Sequence, residues 1–186
     1  SNPGYYAFLC IFELNGKKVF VVNIHLDALI DMFSYSFRND QLNDVLDKSI
    51  LQYLKNPQSI LKPDYIVIGG DTNRRSEFTI EKRNDLFESL FSDFNKKLEE
   101  ESRPDLKVED VCSNYCDIFA TQRFSDINER SWTKRAVKGL AKIRLIKNEA
   151  KLDIIVTNGE IIDREVIPTE SSDHEIITAG IRFGFV

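Results

Sequence analysis

The chain has 186 residues and a formal charge of −5, from 25 Lys+Arg against 30 Asp+Glu. Its 42% hydrophobic and 30% charged content is that of an ordinary soluble globular domain, and no run approaches the roughly 20 apolar residues of a membrane-spanning helix. The acidic balance argues against nucleic-acid binding through bulk charge. The first elements are the runs YYAFLCIFEL and KKVFVVNI, joined by Asn15-Gly16. Aromatic and β-branched residues flanking Asn-Gly are the strongest short-range hairpin signal, so the chain is expected to open inside a sheet. From Phe37 to Leu54, Leu42, Val45, Leu46, Ile50, Leu51 and Leu54 recur at helical spacing, which predicts a helix covering that sheet.

The run DYIVIGG is a short, wholly apolar strand of the kind buried on both faces. A second amphipathic helix follows over Ile80 to Leu98, with Leu86, Phe87, Leu90, Phe91 and Phe94 turned inward. Residues Glu99 to Pro104 are charged and read as a loop. Ser125 to Lys151 is polar and basic, broken by Trp132 and Gly139. Three strands close the chain: LDIIVTN, EIIDREVI and EIITAGIRF. Strands mixed with covering helices, and no linker between them, predict one α/β (α+β) domain over residues 1–186. Cys10, Cys112 and Cys116 offer no second ligand pair, and no histidine lies near Cys112 or Cys116 in sequence. Idle thiols in a reducing, cytoplasmic setting are therefore expected rather than a zinc site.

Polar residues gather where strands end. The two histidines of the chain are His25, in Asn23-Ile24-His25-Leu26, and His174, in Ser172-Asp173-His174. Gly70-Asp71-Thr72-Asn73 follows the YIVIG run, and Asp153 sits inside LDIIV. In an extended segment residues two apart point to one side, so Asp71 and Asn73 can face one ligand, as can Asn23 and His25. A strand-ending turn accounts for Gly-Asp-Asn as well. Asp173-His174 places a hard oxygen ligand, of the kind Mg²⁺ prefers, beside a potential base. Such a base needs an acceptor on its other nitrogen, and Asp153 is the candidate, since an aspartate in an apolar strand is costly unless paired. The basic residues Lys134, Arg135, Lys138, Lys142, Arg144, Lys147 and Lys151 form either a solvated loop or a groove for a polyanion.

The ordered set NIHLD, Arg38-x-x-Gln41-Leu42, GDTN, SWT, LDIIV and SDHEI resembles the endonuclease/exonuclease/phosphatase superfamily, whose fold is deoxyribonuclease I-like. The resemblance implies a two-sheet α/β sandwich and Mg²⁺-dependent phosphoester hydrolysis by in-line attack of water, with Mn²⁺ as a substitute. Carried over to this sequence, it makes His174 the general base, Asp153 its orienting partner and Asp173 the metal-side aspartate. Asp71 would position the attacking water and Asn73 would contact phosphate. His25 would bind phosphate with support from Asn23. The substrate it implies is a phosphate ester, whether nucleic acid, phosphoinositide or phospholipid headgroup. Members also carry a preceding segment with a strand-end Asn and a metal-ligand Glu; the opening residues match neither, and Glu13, on a hairpin strand, fits poorly. The sandwich is thus expected to lack its first strands, to be N-terminally truncated, and to be completed in cis or in trans. The competing expectation is a catalytically incomplete module of the same fold, used for binding or scaffolding.

Overall fold

The computed structural model describes residues 5–26, 35–72, 82–110, 122–123, 149–150, 153–169 and 174–184. Strands β1 (Tyr6–Leu14) and β2 (Lys17–His25) form the expected hairpin. Asn15 and Gly16, at φ 51° and 75°, make the left-handed two-residue turn whose twist suits antiparallel strands. Helix α1 (Tyr35–Leu46) runs through a π turn (Asp47–Leu51) into α2 (Gln52–Lys55). Strand β3 (Tyr65–Asp71) and helix α3 (Lys82–Glu100) follow, then a 3-10 turn (Pro104–Leu106) and the short strands β4 (Glu109–Asp110), β5 (Gln122–Arg123) and β6 (Glu149–Ala150). Strands β7 (Asp153–Thr157), β8 (Glu160–Ile167) and β9 (Ile176–Arg182) end the chain.

The main sheet has the order β1-β2-β3-β7-β4 among the described residues. Its one parallel pair is β2 with β3. One face carries Phe20, Val22, Ile24, Ile66, Ile68, Ile154 and Val156, all buried in a single cluster with the helices. All six apolar residues expected to face inward between Leu42 and Leu54 belong to it, with Phe91, Phe94 and Leu98 of α3. The π turn has a reason. In an unbroken α-helix 100° per residue would carry Leu54 away from the stripe set by Leu42 and Leu46. The wider i→i+5 turn restores the phase, and Ile50, Leu51 and Leu54 all reach the core.

The opposite face belongs to a second layer. Ile155 of β7 shares an apolar cluster with Ile161, Val166, Ile177 and Ala179 of the antiparallel β8–β9 pair. This is a two-sheet α+β sandwich, as expected. On the same face of the sheet, at the far edge, Tyr6, Phe8, Phe12 and Leu14 of β1 are 60%, 64%, 53% and 48% exposed. Leu9 and Ile11 of the same strand point the other way and pack on the helical core. The second layer therefore covers β7, and β1 carries an exposed apolar row at the edge of the sheet.

Side chains fasten the end of the sheet remote from the strand-end histidine. Asp64 accepts from the Lys18 amide at 2.8 Å and from Lys17 Nζ at 3.3 Å. Asn158 Oδ1 accepts from the Ile66 amide at 2.7 Å. Asn95 brackets Val108, donating to its carbonyl and accepting from its amide at 3.1 and 2.9 Å.

Candidate functional site

Three β-branched runs, VFVVNIH, YIVIGGD and DIIVT, build adjacent strands because such residues favour the pleated, half-buried surface. Each run ends or begins on a polar residue, and pairing decides where those residues meet. Tyr6 pairs with His25, His25 with Asp71, and Asp71 with Asp153. One cross-strand row thus holds Tyr6, His25, Asp71 and Asp153 at one rim of the sheet. Strands lie about 4.8 Å apart, so the row spans four strands within about 14 Å. Because partners in register share a face, all four belong to the face that carries Ile155 and the second layer. The next row inward is Phe8, Asn23, Gly69 and Ile155, with Asn23 exposed.

Gly70 lets β3 deliver Asp71. It adopts φ 131°, and a Cβ there would stand 2.0 Å from the Ile24 carbonyl oxygen. Only glycine admits that approach. The ladder then continues one residue further, as the Leu26 amide donates to the Asp71 carbonyl at 2.9 Å. Asp71 is therefore fixed through its backbone from two sides.

His174 enters this rim just before β9. Its Nδ1 lies 2.8 Å from Asp153 Oδ2, and the two side chains are 26% and 22% exposed. An ionised carboxylate only accepts hydrogen bonds. A carboxylate at Nδ1 favours the tautomer with the proton on Nδ1, in which Nε2 of a neutral ring is the acceptor. Asp71, Asp153 and His174 each offer a donor atom within 4.8 Å of the others. Two carboxylates directly opposite on paired strands repel, and a divalent cation among oxygen ligands relieves that repulsion. Asp71 suits a hard metal ion on chemical grounds, while Asp153 is engaged with His174.

The expected residues are thus distributed plainly. His25, Asp71 and Asp153 share one row, His174 joins it through Asp153, and Asn23 stands in the next row. Asn73 and Asp173 lie outside the described residues, as do Cys112, Cys116, Trp132 and the basic residues Lys134, Arg135, Lys138, Lys142, Arg144, Lys147 and Lys151. Glu13 pairs with Lys18 near the far end of the hairpin, about 24 Å along the strand from Tyr6 at about 3.4 Å per residue. It takes no part in this site. Tyr6 was overlooked: its hydroxyl lies 3.3 Å from Nδ1 of His25. The hairpin contains the signal, because a two-residue turn at Asn15-Gly16 pairs each residue with the one that completes the same sum, and so pairs Tyr6 with His25.

No protein-family profile and no curated protein matches the sequence. Solved structures do. The inositol polyphosphate 5-phosphatase domain of SPsynaptojanin, in complex with inositol (1,4)-bisphosphate and a calcium ion, aligns at a TM-score of 0.53 and 21% identity, over 93% of this chain and 49% of that one. An endonuclease/exonuclease/phosphatase family protein from Leptotrichia buccalis aligns at 0.51 and 15%, over 96% and 61%. Beta toxin from Staphylococcus aureus, a mutant with bound magnesium ions, aligns at 0.50 and 17%, over 97% and 58%. The chain spans about half to three fifths of the length of these structures. With the two-sheet architecture, this likeness gives the chain the deoxyribonuclease I-like fold.

Proposed function

We propose that the protein containing this chain is a metal-dependent phosphoesterase that hydrolyses a phosphodiester or phosphomonoester by in-line attack of water. The observation that carries the reading is the His174–Asp153 hydrogen bond of 2.8 Å beside Asp71 at the end of the same sheet row. In this reading Nε2 of His174 takes the proton of the attacking water. Asp153 holds the imidazole in the required tautomer and stabilises the imidazolium that forms. Asp71 accepts a hydrogen bond from the water and aims it at phosphorus. His25, one strand further along the row, donates to a phosphate oxygen, with Asn23 and Asn73 as amide donors. Preorganised donors of this kind act where charge develops in the transition state. Asp173 is the residue assigned to Mg²⁺, and Asp71, one of the carboxylates grouped at the rim, would be a further oxygen ligand. The ion, or Mn²⁺ in its place, neutralises charge on the phosphoryl oxygens when bound.

A second reading has its own observation. The uncovered row on β1 and the partial span of the longer homologous folds suit a chain whose sandwich is completed by another segment, in cis or in trans. Without it, the same fold serves as a binding or scaffolding module. The test is hydrolysis of an aryl phosphodiester and an aryl phosphomonoester by this chain and by a longer chain containing it, in Mg²⁺, in Mn²⁺ and in chelator. Metal-dependent turnover in either chain is the expected result. A folded longer chain with no turnover on either ester leaves the binding module.

A further inference from the structure

Tyr6 is the one member of the site row with no part in the reaction drawn above. Its hydroxyl is 3.3 Å from Nδ1 of His25, and the two rings lie 5.1 Å apart at a 40° tilt. Cross-strand pairing puts them directly opposite each other, so the contact follows from the register and not from a chance rotamer. A tyrosine 60% exposed gains little by burial, which leaves the hydroxyl as its distinguishing group.

The direction of that hydrogen bond decides what His25 can do. A phenol hydroxyl can donate or accept, and a neutral imidazole has one nitrogen that donates and one that accepts. If Tyr6 donates to Nδ1, the ring proton sits on Nε2 and the free nitrogen is a donor. If Nδ1 donates to the phenol oxygen, Nε2 is a bare lone pair that repels a phosphate oxygen. A phenol is a better donor than acceptor, and an imidazole nitrogen is a strong acceptor, so the first arrangement prevails. We infer that Tyr6 is a positioning residue: its hydroxyl fixes His25 as the Nε2–H tautomer and thereby makes it a donor to a phosphate oxygen of the substrate. The inference rests on the reading of His25 as a phosphate ligand. The rim then holds its two histidines in opposite tautomers, Nε2–H at His25 through Tyr6 and Nδ1–H at His174 through Asp153: one ring to donate and one to accept.

Tyr6→Phe keeps the aromatic ring and the strand pairing and removes one hydroxyl. Long-range ¹H–¹⁵N correlation spectra report the protonated nitrogen of each imidazole directly, and a chain with two histidines needs a single substitution to assign them. At about pH 8.5, where an ordinary imidazole is neutral, His25 is expected to be Nε2–H in the unsubstituted chain. In Tyr6→Phe it is expected to be a mixture of tautomers, while His174 stays Nδ1–H in both. A His25 signal unchanged by Tyr6→Phe, or protonated at Nδ1 from the start, overturns the inference. The second arm is titration with inorganic phosphate in the presence of Mg²⁺. Affinity is expected to fall about three- to tenfold in Tyr6→Phe, the size of one ordinary hydrogen bond, and further in His25→Ala. A tautomer shift with phosphate affinity unchanged in both variants overturns the positioning role because His25 is then no phosphate ligand; the His174 chemistry is judged separately by turnover.

Discussion

Gly69 and Gly70 are neighbours of the same type in one strand, and the geometry separates them sharply. A Cβ on residue 70 would lie 2.0 Å from the Ile24 carbonyl oxygen and 2.9 Å from both Asn23 Oδ1 and the Ile24 nitrogen. Real Cβ contacts essentially never fall below 3.0 Å, so Gly70→Ala forces β2 and β3 apart by about 1 Å where they meet at the site. Overpacking of this kind costs about 1–3 kcal/mol, and holding a non-glycine residue at φ 131° adds about 1–3 kcal/mol. A total of about 2–6 kcal/mol is a large part of the roughly 5–15 kcal/mol that holds a domain together. A Cβ on residue 69 meets its nearest atom, the Ile154 carbonyl oxygen, at 3.6 Å, an ordinary contact. Gly69→Ala also loses less backbone entropy on folding, by about 0.4–1 kcal/mol, so it is expected to be neutral or slightly stabilising. Urea unfolding followed by far-ultraviolet circular dichroism measures both. At a slope of about 2 kcal/mol per M, Gly70→Ala lowers the midpoint by about 1–3 M and Gly69→Ala leaves it within about 0.5 M. Equal midpoints for the two variants would refute the close approach of β3 to β2 that places Asp71.

Asp153→Asn is expected to lower turnover while leaving Mg²⁺ affinity nearly unchanged, because the hydrogen bond to Nδ1 loses its charge; replacing a charge-assisted bond by a neutral one costs about 1–2 kcal/mol, or about 5- to 30-fold in rate. Calorimetric titration with Mg²⁺ checks it, and a large loss of affinity would place Asp153 among the metal ligands. Phe8→Thr and Phe12→Thr, on the exposed face of β1, are expected to change the stability of this chain by less than about 0.5 kcal/mol. In a longer chain whose added segment covers the row, each is expected to cost about 1–3 kcal/mol, and equal effects in both chains would show that the row stays uncovered. The hydrogen bond from Arg103 holds the Asp105 carboxyl below its ordinary value. A depressed folded value contributes stability above about pH 4 that is lost as the pH falls through it. Asp105 is 58% exposed, so the contribution stays under about 1 kcal/mol; Asp105→Asn should remove it, flattening the loss of urea midpoint between about pH 6 and pH 2.5.

Much of this architecture is legible in local pattern. The Asn15-Gly16 turn, the six apolar residues from Leu42 to Leu54 and the β-branched runs each carry a period that only one element satisfies. Helix ends were less legible: the two helices end at Lys55 and Glu100 rather than at the expected Leu54 and Leu98, since fraying ends carry no periodic signal. The π turn lies inside an apolar pattern that fits a helix with or without it. Strands β4, β5 and β6 are each described over two residues, and two residues give no alternation to compare with the sequence. In the site, the residue types at strand ends were visible, but their meeting was not. Asp153 and His174 are 21 residues apart, and only the β8–β9 return brings them together. Tyr6 was hidden differently: an aromatic in a strand reads as packing, and its role emerges only when the hairpin register is counted out to His25.

The account turns on His174. Mg²⁺-dependent hydrolysis of an aryl phosphodiester, compared between the unsubstituted protein and His174→Ala in the longer chain containing these residues, tests it most directly, with circular dichroism confirming that both are folded. The expected result is turnover that chelator abolishes and that His174→Ala lowers by about 10²–10⁴-fold, the range of a lost general base. Undiminished turnover in a folded His174→Ala protein would contradict the mechanism.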